Sequence, residues 1–332
     1  MWNLDLTIPT RHTSWVQILF TSECRRVASL KATSYIDQMV KRFADGDVSP
    51  CKQFPAHWGS LPADETLVRA WEAATATRTP ADPELVKRYG TLFGSLLHAA
   101  KFRPEIATAL GLCGACLTFP TEELYECMMH VLVYLGRSRN MGINYSAYVP
   151  DASTLKAYAD SNWGTTRSTT GYVIMLAGAC ILAVSRRQHC ITMSSCEAEL
   201  VALADLAIEL LHVVAVVNFL GHETPDAIPV HTDSKAAYDL CHRFTSAQNS
   251  RHVDRKLFKM RELRGAGMVV VRHIPGDTNP ADLFTKILTK QLFEKHRKTV
   301  LNTSGDTGAE HARRIRFAVR GASSQRDGTG TP

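Results

Sequence analysis

Residues 155–220 are the stretch that most restricts how this chain can fold. Three short apolar runs, at 155–159, 171–176 and 180–185, are separated by glycine and threonine turns, a pattern typical of an antiparallel meander of strands. A segment that is apolar on most faces follows at 200–211, and a helix of that kind is normally packed against a sheet. We therefore predict a sheet covered on one face by this helix.

Strands and helices alternate in the rest of the C-terminal half, at 228–232, 234–241, 255–264 and 268–274. A proline-bounded turn at 275–280 then opens a final helix that contains Asp282. The predicted order is β-β-β-α-β-α-α-β-α. This order indicates an α/β fold, a mixed sheet flanked by helices.

The preceding part of the chain is predicted to be mainly helical, because apolar residues recur at helical intervals at 34–43, 87–101, 103–115 and 121–136. Residues 44–82 are rich in Pro, Gly, Asp and Thr, which predicts irregular structure with one short turn of helix. The composition changes to a strand and a turn at 142–153. We therefore divide the chain into four parts: 1–29 (unassigned), 30–150 (helical), 151–300 (α/β domain) and 301–332 (disordered tail).

Composition narrows the class of protein. A chain of 332 residues with 45% hydrophobic content can bury a sizeable core, and its net charge of +6 is a mild basic bias compatible with a polyanionic partner. The first 20 residues mix charged side chains into their apolar ones, unlike a signal peptide. The most apolar stretch, 198–220, carries Glu199, Asp205 and Glu209, which argues against a membrane span. We predict an intracellular protein, cytoplasmic or nuclear, without a membrane partner.

The nine cysteines show no framework spacing, which is typical of a reducing compartment. Cys113 and Cys116 form a CxxC pair, but no second pair follows at the spacing of a zinc site. We interpret the pair as small residues packed in a helix. A redox or zinc half-site is the alternative interpretation.

Four acidic residues stand at the ends of predicted elements. Asp160 and Asp233 each close a strand, while Glu197 and Asp282 each lie in the first turn of a helix. If the two strands are neighbours, both aspartates emerge at the same edge of the sheet. Hard oxygen ligands suit Mg²⁺ or Mn²⁺, and two such ions about 4 Å apart can promote phosphodiester hydrolysis. Each acid taken alone could instead cap a turn or favour a helix dipole.

Five motifs, in this order, resemble the ribonuclease H domain of copia-type retrotransposon Pol polyproteins: AYADSNWG, STTGYV, SSCEAEL, HTDSKAA and NPADLFTK. The upstream pieces SYIDQMVKRF, YGTLFGSLLHAAKFRPEIATAL and VLVYLGRSRNMGINY resemble the end of the reverse transcriptase region of the same polyproteins. The resemblance covers roughly residues 30–295. It implies a ribonuclease H-like mixed sheet, preceded by a helical C-terminal remnant of a reverse transcriptase.

The resemblance also implies an activity, namely endonucleolytic hydrolysis of the RNA strand of an RNA/DNA hybrid with two Mg²⁺ (or Mn²⁺) ions. Its metal ligands would be Asp160, Glu197, Asp233 and Asp282. Glu199 is the alternative to Glu197, and the two cannot share a direction because a helix turns about 100° per residue. The family motif favours Glu197.

Further residues are candidates for supporting roles. His273 occupies the position of a mobile histidine that helps product release or proton transfer in related ribonucleases H, although a solvated loop histidine explains it equally well. Phosphate contacts are predicted for four basic residues, Lys235, Arg251, Lys256 and Lys286. A solvated helix face is the alternative for most of these.

The sequence also departs from the family pattern. A polymerase motif of two adjacent aspartates (YVDD-like) is absent, so DNA synthesis by this chain is not expected. Val184 stands where the family usually has tryptophan, and Cys196 where it usually has threonine. The remainder of a Pol polyprotein is a predicted partner. The alternative function is that of an inactive retrotransposon relic that at most binds nucleic acid.

Overall fold

The described part of the computed structural model comprises residues 17–20, 27–149, 154–164, 167–222, 224, 227–242 and 251–303, and it contains two sheets, nine α-helices and four short 3₁₀ helices. The smaller sheet is antiparallel, in the order β1-β2-β3, with strands Gln17–Phe20, Val27–Lys31 and Ile143–Ser146. The strand predicted near residue 143 is therefore confirmed. The predictions for residues 1–16, 21–26 and 304–332 lie outside the described residues.

The larger sheet has five strands in the order β6-β5-β4-β7-β8, namely Lys156–Asn162 (β4), Thr169–Leu176 (β5), Ala179–Arg187 (β6), Ile228–Thr232 (β7) and Val269–His273 (β8). β4 pairs antiparallel with β5 and parallel with β7. Ala177 and Gly178 both have positive φ in the tight turn between β5 and β6, a conformation that suits the twist of a two-residue hairpin. The predicted meander and mixed α/β sheet are confirmed.

The helices of the C-terminal half flank this sheet: Ser195–Phe219 (α6), Lys235–His242 (α7), Arg251–Gly265 (α8) and Lys290–Leu301 (α9). α6 contributes Leu200, Leu203 and Leu206 to an apolar core with Ala157 and Val230 of the sheet. By length and composition α6 could cross a membrane, but half of its most apolar stretch is buried inside the fold. Its packing is that of a core helix, and the absence of a membrane partner stays a prediction.

The N-terminal half contains five helices, Thr33–Phe43 (α1), Glu65–Thr77 (α2), Pro83–Ala99 (α3), Ala107–Gly114 (α4) and Glu122–Arg137 (α5). Four of them agree with the predicted helices. α2 corrects the prediction of irregular structure for 44–82. It begins after Asp64, whose carboxylate accepts a hydrogen bond from the backbone N–H of Thr66, and it buries Leu67, Ala70 and Ala74 on one face.

The helical half covers the second face of the large sheet. One apolar core combines Leu92, Leu96 and Leu132 of the helices with Val173 and Met175 of β5. Leu283, Phe284, Phe293 and Val300, from the last forty described residues, belong to the same core. The domain boundary near residue 150 stays a prediction, and the apolar core crosses it.

The cysteine pair behaves as packed small residues. Cys113 is fully buried in α4, and Cys116 is fully buried just beyond it. Burial raises the pKa of the Cys113 thiol to about 12 and that of Cys116 to about 11, which keeps both protonated at neutral pH. The helix-packing interpretation of Cys113 is confirmed.

Candidate active site

Two parallel neighbouring strands bring the first two acids together. Asp160 lies inside β4, opposite Gly171 of β5, and Asp233 directly follows Thr232, the last residue of β7. The expectation that Asp160 closes its strand is therefore wrong, since antiparallel pairing with β5 continues through Asn162. The expectation that β4 and β7 are neighbours is correct, and it explains why both carboxylates reach one edge of the sheet.

The third acid of the cluster is Glu199. Oxygen atoms of Asp160, Glu199 and Asp233 all lie within 4.8 Å of one another. Asp160 is 1% exposed and Glu199 is 8% exposed, so two of the three carboxylates are withdrawn from bulk water. The backbone N–H of Ser161 donates to Oε1 of Glu199 over 3.2 Å, which fixes the glutamate against β4.

Glu197, which the motif favoured, has a different position. Its backbone N–H donates to the hydroxyl of Ser194, and its carboxylate accepts from the backbone N–H of Met193 at 2.7 Å. These two hydrogen bonds are similar to a capping box at the start of α6, except that the carboxylate binds the N–H of Met193, one residue before the N-cap Ser194. The structure thus brings Glu199, and not Glu197, together with Asp160 and Asp233, because Glu197 caps the helix two residues earlier. The role of Glu197 as a metal ligand stays a prediction.

Asp282 is connected to the cluster through Lys286. It lies in the short 3₁₀ helix Pro280–Phe284 (the Asp282 turn), not in an α-helix as predicted, since the final α-helix begins at Lys290. Nζ of Lys286 lies 2.8 Å from Oδ1 of Asp282 and 3.2 Å from Oδ2 of Asp160. Asp282 therefore lies beside the cluster, joined to Asp160 through the ammonium group of Lys286, and its role as a metal ligand stays a prediction.

Several neutral groups that are not among the predicted site residues hold the acids in place. Thr285 donates its hydroxyl to Oδ2 of Asp160. The buried side chain of Asn279 donates to the carbonyl of Ala159 at 3.0 Å and to Oδ1 of Asp233 at 3.3 Å. Both residues stand in the NPADLFTK motif, beside the acid that drew attention. The motif that contains them was identified, but an amide and a hydroxyl side chain are not residue types that indicate a metal site.

Gly171 makes this arrangement possible. A Cβ atom at this position would lie 2.5 Å from Cγ2 of Thr285 and 2.9 Å from Cβ of Phe284. Real Cβ atoms do not approach other heavy atoms so closely, so a larger residue would push the Asp282 turn off the sheet. The glycine of the STTGYV motif is therefore explained by the close approach of the Asp282 turn to β5.

The remaining predicted residues lie around the cluster. His273 ends β8 instead of lying on a loop, and its Nε2 lies 3.0 Å from the carbonyl oxygen of Asp233. Lys235 pairs with Asp239 at 3.1 Å and is largely exposed. Lys256 forms an ion pair with Asp205 at 2.6 Å that joins α8 to α6, so it is not free to bind phosphate in this structure. The side chain of Arg251 lies outside what the structure describes.

The site is electrostatically poised to accept a cation. Burial, followed by the nearby carboxylates of Asp160 and Asp233, raises the pKa of Glu199. Burial also raises the pKa of Asp160, although Lys286 opposes this effect. Burial lowers the pKa of Lys286, but the carboxylates of Asp160 and Asp282 outweigh it and the net pKa is raised. Lys286 therefore stays protonated and positively charged. Its single positive charge does not balance the acidic groups of the cluster.

The donor set fits a divalent metal. Oε2 of Glu199 is buried and has no hydrogen-bond partner in the structure, as expected of an atom that serves as a metal ligand. Three carboxylates that converge on one point are the ligand type that Mg²⁺ and Mn²⁺ prefer. We conclude that Asp160, Glu199 and Asp233 form a group able to hold such an ion.

The pH dependence of stability tests this electrostatic account. The pKa of Asp160 is raised to about 7 and that of Glu199 to about 8, so the folded protein holds protons that the unfolded chain releases near pH 4. These groups stabilise the fold fully at low pH, and their contribution is lost as pH rises through the raised values. We expect the free energy of unfolding without metal to fall by a few kcal/mol between pH 5 and pH 8, measured by urea unfolding in EDTA.

The matched control for this experiment is the double variant Asp160→Asn/Glu199→Gln, which cannot titrate at either position. Its stability profile should be flatter than that of the wild type over the same range, because all other groups are shared. Parallel profiles for the two proteins would contradict raised pKa values at Asp160 and Glu199.

The fold and the acid cluster together define a mixed α/β protein with a carboxylate site of the metal-binding type. No protein-family model matches the chain. Among curated proteins, the chain is 26% identical over 276 residues to the retrovirus-related Pol polyprotein from transposon TNT 1-94 of Nicotiana tabacum. The aligned region is 82% of this chain and 20% of the relative. The chain is 27% identical over 212 residues to the corresponding polyprotein from transposon RE1 of Arabidopsis thaliana, covering 62% of this chain and 14% of the relative.

These homologues are retrovirus-related Pol polyproteins of plant transposons, and the resemblance predicted from the motifs is confirmed. The chain spans only about a fifth or less of the length of these relatives.

The chain is also similar to solved structures of ribonucleases H. LC11-RNase H1, isolated from compost, is 19% identical, with 43% of this chain and 97% of that chain covered and a TM-score of 0.33. RNase H1 from Halobacterium salinarum is 20% identical, with 40% of this chain and 94% of that chain covered and a TM-score of 0.29.

Proposed function

We propose that this chain is a metal-dependent endonuclease that hydrolyses the RNA strand of RNA/DNA hybrids. The observation that carries the proposal is the convergence of Asp160, Glu199 and Asp233, with a buried and unpartnered Oε2 on Glu199. The Pol polyprotein relatives support a nuclease within a retrotransposon protein.

Asp160, Glu199 and Asp233 would hold a Mg²⁺ or Mn²⁺ ion, which supplies activation of a water molecule and stabilisation of the leaving oxygen when bound. The protein groups around it have separate tasks. Ser161 and Asn279 fix Glu199 and Asp233, and Thr285 fixes Asp160. The carboxylates thus start in one geometry and need little reorganisation during the reaction.

The resemblance implies two ions, and a second site would use Asp160 and Asp282. Nζ of Lys286 lies between these carboxylates, so occupation of a second site requires the lysine to move. Lys286 would then be released toward the substrate, where a phosphate is its natural partner. Lys235 is an exposed basic residue two positions after Asp233. Its ion pair with Asp239 is a weak surface one, so Lys235 can exchange Asp239 for a phosphate.

His273 has a supporting task in the same scheme. Its exposed ring is anchored to the backbone carbonyl of Asp233, which places a titratable group at the rim of the site. An imidazole at this place can assist proton transfer or product release.

Purified protein and an end-labelled RNA/DNA hybrid test the proposed activity. We expect internal cleavage of the RNA strand with Mg²⁺ or Mn²⁺, no cleavage of the DNA strand, and complete loss of activity in EDTA. Single-stranded RNA and double-stranded DNA of the same sequence serve as substrate controls, because recognition of a hybrid depends on duplex shape and 2′-hydroxyl groups. An intact hybrid, beside a positive control that is cleaved, would leave the alternative of a relic that at most binds nucleic acid.

A further inference from the structure

The Asp282 turn is bonded to the helical half of the protein. The hydroxyl of Thr108, in α4, donates to the backbone carbonyl of Leu283 over 2.7 Å. Both residues are buried, with exposures of 8% and 2%. This hydrogen bond joins positions that are 175 residues apart in the sequence. It connects the segment that resembles a reverse transcriptase remnant with the segment that carries Asp282.

Apolar contacts reinforce this connection. Leu283 and Phe284 point into the core that the helical half shares with β5, and they lie together there with Leu110 and Cys113 of α4. On its other side the turn packs closely against Gly171 of β5. The Asp282 turn is therefore held between the sheet and α4, and a shift of either layer would move it.

The two residues that follow the Asp282 turn, Thr285 and Lys286, contact the acid cluster. Thr285 donates to Asp160, and Lys286 bridges Asp160 and Asp282. The backbone N–H groups of Thr285 and Lys286 both donate to the carbonyl of Asp282, at 3.2 and 3.1 Å. Fixing the neighbouring carbonyl of Leu283 thus fixes a unit that includes one acid, one hydroxyl and one ammonium group of the site.

We propose that the helical half is part of the catalytic apparatus, with Thr108 as the positioning residue that holds Asp282, Thr285 and Lys286 in register with Asp160. This inference rests on the proposed nuclease function. It assigns to α4 a task that the motifs of the C-terminal half do not suggest. The residue touches neither the acids nor a substrate and acts through the backbone of Leu283.

The substitutions Thr108→Val and Thr108→Ser test the proposal as a pair. Valine has the shape of threonine but no donor, so the buried carbonyl of Leu283 loses its partner. Serine keeps the donor. We expect Thr108→Val to lower kcat for hybrid cleavage about tenfold, the effect of leaving a buried acceptor unsatisfied. KM should stay near the wild-type value, since the acids act on the reaction and not on duplex binding, and Thr108→Ser should restore kcat.

Thr91→Val is the matched control, because the hydroxyl of Thr91 is exposed and bonds to the carbonyl of Lys87 within α3. It removes the same group from a helix without touching the Asp282 turn. Its kcat should equal that of the wild type. A loss of kcat in this control similar to that of Thr108→Val would overturn the proposal, because the effect would then follow from removing any helical hydroxyl.

Hydrogen–deuterium exchange supplies a readout that does not depend on activity. We expect Thr108→Val to speed exchange in the peptide that contains the amides of Thr285 and Lys286 by about tenfold, with wild-type exchange in Thr108→Ser. Unchanged exchange in Thr108→Val overturns the positioning role even if the wild-type protein has no nuclease activity. Faster exchange with unchanged kcat in an active protein also overturns it, because the bond would then be purely structural.

Discussion

Asp160→Asn should abolish cleavage of an RNA/DNA hybrid, with a loss of at least about a thousandfold. Asp160 is at the centre of the site: its carboxylate contacts Thr285 and Lys286 and lies beside Glu199 and Asp233. An amide keeps the shape of the side chain and can still accept the hydroxyl of Thr285. It cannot supply the negative charge that a divalent cation needs.

The same variant should fold as well as the wild type when metal is absent. Burial makes the ionised form of Asp160 unfavourable, which is why its pKa is raised, and asparagine removes that cost. Lys286 keeps its second partner, Asp282. The unfolding temperature in EDTA at neutral pH should therefore not fall, and differential scanning calorimetry measures it directly.

Asp37→Asn is the control for this substitution. Asp37 lies in α1 and forms an exposed ion pair with Arg139, a contact of the kind that contributes little to stability. Its activity should equal that of the wild type, which excludes a contaminating host nuclease whenever Asp160→Asn is inactive. Wild-type cleavage by purified Asp160→Asn would remove Asp160 from the site and with it the proposed mechanism.

The sheet could be predicted because its determinants are local. Alternating and short apolar runs fixed the positions of β5 and β6, and the turn at Gly178 separated them as expected. The neighbouring position of β4 and β7 was an assumption that the motif order made reasonable. Their register, Ala157 with Val230, confirms it.

The Asp282 turn shows what local patterns cannot supply. Proline and the acidic residue in NPADLFTK are typical of a helix start, and an α-helix was predicted there. In the structure the chain makes a short 3₁₀ helix, because Leu283 and Phe284 are both drawn into the core and Thr285 must reach Asp160. These requirements come from β4, β5 and α4, all of which lie more than a hundred residues earlier in the sequence.

The ion-pair partners of basic residues are a second feature that local sequence patterns cannot supply. Lys256 was predicted to contact phosphate because it stands in a basic helical stretch. In the structure it shares Asp205 with Arg186, so its charge is neutralised at the contact between α8 and α6. An ion pair between side chains 51 residues apart leaves no mark on the local sequence.

The choice between Glu197 and Glu199 could have been made from the sequence. Ser194 followed three residues later by Glu197 has the spacing of a capping box, which assigns Glu197 to the start of the helix. Glu199 then remains as the acid of SSCEAEL that is available for the site. Side chains two positions apart in an α-helix point about 200° apart, so only one of the two glutamates can face β4.

This choice leads to a sharp comparison between two variants of equal chemistry. Glu199→Gln should lower kcat for hybrid cleavage at least about a hundredfold, because the amide removes one of the three carboxylates that would hold the metal. Glu197→Gln should leave kcat within about twofold of the wild type, since glutamine serves in a capping box as well as glutamate. Steady-state cleavage in Mg²⁺ measures both.

Metal binding separates the two variants without reference to activity. Titration calorimetry with Mn²⁺ should show weaker binding for Glu199→Gln by at least about tenfold, and wild-type affinity for Glu197→Gln. Mn²⁺ affinity reduced by Glu197→Gln and unaffected by Glu199→Gln would restore the preference suggested by the family motif. It would also require α6 to turn by about half a revolution from its observed position, which the hydrogen bond from Ser161 to Glu199 and the burial of Leu200 and Leu203 oppose.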